Sequence, residues 1–296
     1  MNNSKILDGK LVANSIKEAL KKDCKDKDIS LTIFQVGDNP ASNTYIRNKQ
    51  KACEAVGIRS ELTKIEVAEH EQGSLLPWWL TTTSTDGVML QLPLPLGWEE
   101  HEYVNCIPVE RDADCLSDAS LGAFYSSNNP VIGPCTAMGI IDLLDYYQIP
   151  IEGKKALVVG RSNIVGKPIA HLLTCRNATV TVAHSKTSRL QLLKLFNDAD
   201  IVVIAVGKPD FITAEDQKYY NKHFCTDSYI NFYNNTNRII IDVGINRDAE
   251  GKLCGDLSEE FKEKYSKYYT PVPGGVGPMT VAELLKNTVY LSKKGN

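Results

Sequence analysis

The residues best equipped for chemistry fall on a few short stretches. Tyr45-Ile-Arg-Asn-Lys49 lies in a segment running from about Ser42 to Val56, with Gly57 as its stop. At about 100° per residue, Tyr45, Ile46, Ala52, Cys53 and Val56 share one arc of roughly 120° on a helix, and Lys49 falls inside it. A lysine therefore points inward with the apolar face. Its stem could be buried while the head snorkels to water. Alternatively, burial disfavours the ammonium, and a neutral amine one turn from a tyrosine can act as a general base. The helix alone leaves both readings open. Gln91 interrupts Gly87-Val-Met-Leu-Gln-Leu-Pro-Leu-Pro95, which reads as a buried strand closed by prolines. An amide there needs a partner, either neighbouring backbone or a functional group in a cleft. Arg111-Asp-Ala-Asp114 reads as a polar loop of solvated charge, although Asp114 could offer two acceptor oxygens to a planar amidine-like edge.

A second kind of chemistry is written in Ala156-Leu-Val-Val-Gly-Arg-Ser-Asn-Ile-Val-Gly-Lys-Pro-Ile-Ala-His-Leu-Leu173. An apolar strand ends at Gly160, where a glycine permits a sharp turn, and Gly166 opens a helix with Ile169, Ala170, Leu172 and Leu173 on its inner face. The N–H groups of such a helix start suit a pyrophosphate. The spacing Gly160, Ser162, Gly166 is not Gly-x-Gly-x-x-Gly, so an ordinary strand-turn-helix remains the alternative. The next strand, Ala178 to Ala183, ends in His184-Ser-Lys-Thr187 with no Asp or Glu for ribose hydroxyls. Arg161 and that Ser-Lys-Thr run suit a 2′-phosphate, which favours NADP over NAD.

The elements that must position these groups read as an α/β protein. Asp8 can cap a helix to about Leu20, Ser30 to Val36 forms a strand, and 59 to 67 a weaker one, while Glu69 to Thr85 shows no clear periodicity. A helix from Thr136 to Tyr147 reads as a connector between domains. Beyond it, helix and strand alternate through Leu190 to Phe196, Ile201 to Val206 and Arg238 to Val243, which argues for a parallel sheet. Asn221 to Asn237 reads as a surface excursion, Pro271 to Pro278 as a rigid loop whose backbone could approach a ligand, and Met279 to about Leu291 as a closing helix.

With 296 residues, 43% hydrophobic and a net charge of -3, the chain has room for one large or two medium domains. Charges of both signs are interleaved and no basic tract occurs, so nucleic acid is not an expected partner. No apolar run has the length of a membrane span or of a signal core, and cytoplasm is the default compartment. Eight cysteines without a Cys-x-x-Cys pair, and five histidines without ligand spacing, suggest reduced thiols and no metal.

Four stretches then coincide: Tyr45-Ile-Arg-Asn-Lys49, Leu90-Gln-Leu-Pro-Leu-Pro95, Gly160-Arg-Ser-Asn-Ile-Val-Gly-Lys-Pro168 and Pro271-Val-Pro-Gly-Gly-Val-Gly-Pro-Met-Thr280. With Pro134-Cys-Thr136 and Asp242-Val-Gly-Ile-Asn246 also in place, nearly the whole chain resembles the bifunctional methylenetetrahydrofolate dehydrogenase/methenyltetrahydrofolate cyclohydrolase family. The resemblance implies a folate-binding catalytic domain (1–137 and 279–296), a Rossmann-like NADP-binding domain (138–278), a folate cleft between them and a homodimer. It implies that Lys49 serves the cyclohydrolase step, Tyr45 stacks on the pterin, Gln91 orients Lys49 and Asp114 holds the aminopyrimidine edge. Leu90, Leu92, Pro273, Gly274, Gly275, Val276 and Gly277 would line the folate site. Gly160, Arg161, Ser162, Gly166, Ser185, Lys186, Thr187 and Ile245 would meet the cofactor. The expected substrates are one-carbon derivatives of tetrahydrofolate, oxidised from the methylene to the methenyl level and hydrolysed to 10-formyltetrahydrofolate. Two rivals are a monofunctional dehydrogenase with an idle Lys49 and a non-catalytic folate or nucleotide sensor on the same fold. Two departures stand out: Cys115 replaces the glycine that ends the family's Lys-Asp-Val-Asp-Gly, and the 221–237 segment is longer than usual.

Overall fold

The computed structural model describes residues 5–66, 70–224 and 237–294. The chain opens with β1 (Lys5–Ile6) and α1 (Gly9–Cys24), and the Asp8 carboxylate caps the helix by accepting from the Lys10 and Leu11 N–H groups at 2.9 and 3.1 Å. β2 (Ile29–Val36), buried along its whole length, leads into α2 (Pro40–Val56). α2 starts two residues before the expected Ser42. The Asn39 side chain accepts from the Ala41 and Ser42 N–H groups, and Pro40 takes the first helical position, where no donor is needed. Gly57, in the left-handed region at φ 86°, ends it as expected.

β3 (Ile58–Ile65), α3 (His70–Thr82) and β4 (Gly87–Leu90) follow. α3 occupies the stretch in which the sequence shows no periodicity. Pro77 lies inside it, and the hydroxyls of Thr81, Thr82 and Thr83 bond back to the carbonyls of Pro77, Trp78 and Trp79 at 2.6–2.7 Å, closing its end. β4 is shorter than the expected Gly87–Pro95. Its ladder stops at Leu90, Gln91 N–H still reaches the Phe34 carbonyl at 2.8 Å, and the prolines then remove the donors.

The remaining elements are α4 (Glu100–Val104), α5 (Asp118–Ser126), α6 (Cys135–Tyr146), β5 (Lys155–Val159), α7 (Gly166–Cys175) and β6 (Thr179–Ala183). Then come α8 (Arg189–Asp198), β7 (Ile201–Ile204), α9 (Ala214–Phe224), β8 (Ile239–Asp242), β9 (Asn246–Arg247), β10 (Leu253–Cys254), α10 (Glu259–Tyr265), β11 (Tyr268–Tyr269) and α11 (Val276–Lys294). The expected 221–237 excursion falls mostly on 225–236, outside the described residues.

The chain divides into two compact units, Met1–Val12 with Thr136–Met279, and Ala13–Cys135 with Thr280–Asn296. The first holds a parallel sheet in the order β1-β11-β8-β7-β5-β6. Its core runs from Leu157, Val202 and Ile204 to Phe196, Phe261 and Tyr265. The second is built on the parallel sheet β3-β2-β4. One face of that sheet, with Leu31, Ile33 and Met89, packs with Ile46, Cys53, Leu284 and Leu285 of α2 and α11. The other, with Phe34, Val88 and Leu90, packs with Leu76, Leu80 and Val104 of α3 and α4.

Residues 5–12 pack with the six-stranded sheet, because β1 pairs with β11 and the Leu7 N–H bonds the Tyr269 carbonyl at 2.8 Å. Leu7 is fully buried. Leu7→Ala should cost about 2–5 kcal/mol. Hydrogen exchange should report the loss as weaker protection of β8 and β11, with β2 unchanged.

Candidate active site

Lys49 is buried at 8% exposure, on the α2 face that also carries Ser42, Ile46, Ala52, Cys53 and Val56. Its head does not snorkel. Nζ donates to Gln91 Oε1 at 3.0 Å and lies 3.4 Å from Met89 Sδ. Gln91 owes this role to its place just past the end of β4. Its Nε2 donates to the Leu92 carbonyl at 2.7 Å, which turns its oxygen toward the amine. Tyr45, one turn before Lys49, is 36% exposed at the rim of the buried face. Leu90 is buried and Leu92 half-buried beside Gln91.

Asp114 comes to the same neighbourhood by a route the sequence does not reveal. Arg111–Asp114 is not a solvated loop. Val88 N–H bonds the Arg111 carbonyl, Ala113 N–H bonds the Val88 carbonyl, and Asp112 and Ala113 are buried against β4. Asp112 Oδ2 accepts from the Leu116 and Ser117 N–H groups at 3.0 and 2.8 Å, closing the turn that presents half-buried Asp114. Burial holds the Asp112 carboxyl above the usual range, and the Ser117 N–H opposes it. Asn287 of α11 secures the turn from beneath, donating to the Ala113 and Gly133 carbonyls at 2.9 and 3.0 Å and approaching Cys135 Sγ at 3.4 Å. The Cys135 thiol donates to the Ala113 carbonyl at 3.5 Å, and burial and then the nearby Asp114 carboxylate push it well up, with the charge of Lys49 opposing them. One cluster thus contains Lys49, Gln91, Asp114 and Cys135. Asp112, Cys135 and Asn287 were not among the expected site residues, although Cys135 stands in the Pro134-Cys-Thr136 stretch and Asn287 is a lone amide among Leu284, Leu285 and Leu291 on the last helix.

The other expected residues lie in the first unit. Gly160 and Gly166 form a turn folded tightly on itself: a methyl on Gly166 would collide with the Gly160 carbonyl, and one on Gly160 with that of Ala205. Ser162 Oγ accepts from the Val165 and Gly166 N–H groups at 3.1 and 3.4 Å, leaving Arg161 exposed beside it. β5 and β6 are neighbours in register, with Val159 opposite Ala183. The His184–Thr187 turn is closed by Thr187 N–H to the His184 carbonyl at 2.8 Å and His184 N–H to Thr187 Oγ1 at 3.0 Å. Ser185 and Lys186 are exposed at its tip. Exposed cationic and hydroxyl donors at the carboxyl ends of adjacent strands fit a phosphorylated dinucleotide. Pro273–Gly275 form a loop tied by Gly275 N–H to the Pro271 carbonyl, while Val276 and Gly277 already belong to α11, which starts before the expected Met279. A methyl on Gly277 would touch Ile245 Cδ1, so those two expected positions are neighbours. Among the described residues no group of His, Cys, Asp and Glu could hold a metal ion.

A unit built on a parallel sheet with this glycine turn and a second unit carrying a buried Lys-Gln pair define a two-unit dinucleotide-binding α/β enzyme. Residues 7–114 match the catalytic domain of tetrahydrofolate dehydrogenase/cyclohydrolase, and residues 134–296 match its NAD(P)-binding domain. The chain is 43% identical over 297 residues to the bifunctional protein FolD of Agathobacter rectalis, covering 98% of this chain and 99% of that one. It is 41% identical over 298 residues to that of Bdellovibrio bacteriovorus, covering 98% and 96%. A crystal structure of the Trypanosoma brucei methylenetetrahydrofolate dehydrogenase-cyclohydrolase with NADP and an inhibitor superposes with a TM-score of 0.87 at 32% identity, covering 100% of this chain and 99% of that one. The chain belongs to the tetrahydrofolate dehydrogenase/cyclohydrolase family. It is accordingly a bifunctional enzyme of folate one-carbon metabolism, oxidoreductase and hydrolase in one polypeptide.

Cys115 keeps the backbone that a glycine would take: it sits at φ 57°, buried, with its N–H on the Asp112 carbonyl at 3.2 Å. The thiol side chain is accommodated at a conformation L residues avoid. Cys115→Gly should therefore leave the folate KM within about twofold, whereas Cys115→Val should cost ~1–3 kcal/mol and raise that KM. Thermal unfolding and steady-state kinetics of the two variants check this.

Proposed function

We propose that this chain oxidises 5,10-methylenetetrahydrofolate with NADP and hydrolyses the resulting 5,10-methenyltetrahydrofolate to 10-formyltetrahydrofolate, with Lys49 serving the second step. The observation that carries the reading is the buried Lys49 amine held at 3.0 Å by Gln91. Bound NADP supplies the hydride acceptor for the methylene carbon. Water then adds to the methenyl carbon, loses a proton, and the bond from that carbon to N5 breaks as N5 is protonated. Lys49 is the group that moves this proton, Gln91 fixes the direction of its nitrogen, and Tyr45 stacks on the pterin. Asp114 accepts two N–H bonds from the aminopyrimidine edge. Leu90, Leu92 and Pro273–Gly277 line the folate. The dinucleotide meets Gly160, Arg161, Ser162, Gly166, Ser185, Lys186, Thr187 and Ile245. A homodimer working in the cytoplasm, without nucleic acid or membrane as partner, belongs to the same reading; no helix among the described residues is long and apolar enough to cross a membrane.

Lys49→Met keeps the volume of the stem and removes the basic nitrogen, so hydrolysis of the methenyl substrate should fall by at least about 100-fold. Hydride transfer needs no such base and should survive in part. Near-normal cyclohydrolase activity in this variant would mean that the hydrolytic residue is not Lys49 and lies elsewhere. Arg161→Ala should weaken NADP by roughly 1–3 kcal/mol and leave NAD nearly unaffected. Comparing kcat/KM with the two cofactors tests the 2′-phosphate assignment, and an equal loss with both would defeat it.

A further inference from the structure

Asp256 carries no role in the reading above, yet it is fully buried at the carboxyl edge of the six-stranded sheet. Its Oδ2 accepts from the Val206 and Gly207 N–H groups at 2.7 and 3.1 Å, and its Oδ1 from the Lys208 N–H and from Asn246 Nδ2, both at 2.9 Å. Three successive backbone donors of the turn after β7 are thus wrapped around one internal carboxylate. Such a concave run of N–H groups is a ready anion site. Here the protein fills it, so these three N–H groups are already taken.

Asp256 is itself held from behind. Asp242, at the end of β8, accepts from the Asp256 and Leu257 N–H groups at 2.9 and 3.0 Å and from Gly244 N–H at 3.0 Å. The fully buried Lys262 lies 3.4 Å from Asp242 Oδ2 and donates to the Thr270 carbonyl at 3.0 Å. Two glycines fit the two carboxylates reciprocally: a methyl on Gly244 would collide with Asp256 Oδ1, and one on Gly255 with Asp242 Oδ2. The backbone here is shaped around the acids.

What Asp256 fixes is the surface that a dinucleotide would meet. In open parallel sheets ligands lie beyond the carboxyl ends of the strands. The turn after β7 adjoins the glycine turn after β5, since a methyl on Gly160 would strike the Ala205 carbonyl. Through Asn246, Asp256 also anchors the arm bearing exposed Ile245. We propose that Asp256 is a positioning residue for the dehydrogenase step, setting the 205–208 turn and the Ile245 arm in the geometry that the dinucleotide requires without touching it. The inference rests on the dinucleotide reading of this unit.

The test uses the full-length chain carrying Asp256→Asn, a near-isosteric change whose amide nitrogen cannot accept from the turn. NADP affinity by titration and the NADP KM of the dehydrogenase reaction are compared with cyclohydrolase activity on the methenyl substrate without added dinucleotide. Affinity should fall by about tenfold or more, as expected for lost hydrogen bonds to a charged acceptor, while cyclohydrolase stays within about twofold. Unchanged NADP affinity, or a parallel loss of both activities with a lowered melting temperature, would overturn the proposal. Should Asp256→Asn fail to fold, Asn246→Ala removes one of the four donors and should raise the NADP KM alone; an unchanged KM there counts equally against it. Arg161→Ala separates the two levels. If that variant weakens NADP and Asp256→Asn does not, only this inference fails; if neither does, the dinucleotide reading of the unit fails with it.

Discussion

A primary amine packed beneath a helix must be given an acceptor, and much of the second unit is arranged to give one to Lys49. The amine lies on the buried face of α2, with little of the side chain exposed. Had β4 continued through Gln91 with ladder partners on both sides, the amide would have been one more half-buried side chain. Because regular pairing stops at Leu90, Gln91 can spend its own NH2 on the next carbonyl and turn its oxygen to Lys49. The prolines that follow matter as much as the glutamine. They end the strand where the acceptor is needed.

The loops that carry the remaining chemistry are stabilised by one device used twice. Asp112 and Asp256 are each almost wholly buried, and each gathers consecutive backbone N–H groups from a turn that has no ladder to satisfy them. A carboxylate accepting several such bonds is a stronger tie than a neutral side chain, and it removes the cost of burying unpaired donors. The sheets provide the platform. The acids decide the shape of its edges.

Periodicity and turn chemistry were enough to read the architecture: α2 and its glycine stop, the strand-turn-helix at Gly160–Gly166 and the parallel sheet were all legible. Lys49 was legible as inward-facing because a helix projects residues by angle. Whether its head was buried was not, since that depends on β4, forty residues away in sequence. α3 was hidden because an internal proline and two threonines in its last turn obscure its apolar face. Asp112 was misread as solvated because a charge cluster in a short loop usually is. Its burial comes from a single bridge to Val88 and from Asn287, whose sequence separation from Ala113 no local pattern can express. The grouping of residues 5–12 with the six-stranded sheet likewise rests on the pairing of two two-residue strands, each too short to carry a signal of its own.

The division of the chain bears on the order in which it can mature during synthesis. Neither unit is one continuous piece, since the second takes residues 13–135 and then 280 onward. Its core includes Leu284, Leu285, Val289 and Leu291, and the carbonyls of Ala113 and Gly133 wait for the Asn287 amide. A ribosome that has released residues 13–135 has therefore exposed a sheet with part of its apolar cover still to come, through the whole time needed to make the intervening residues. Such a surface is open to wrong partners until α11 arrives. The half of the enzyme whose sequence emerges early is thus the half that closes late, and the neighbourhood of Lys49 and Asp114 takes its final form only after α11 has been made.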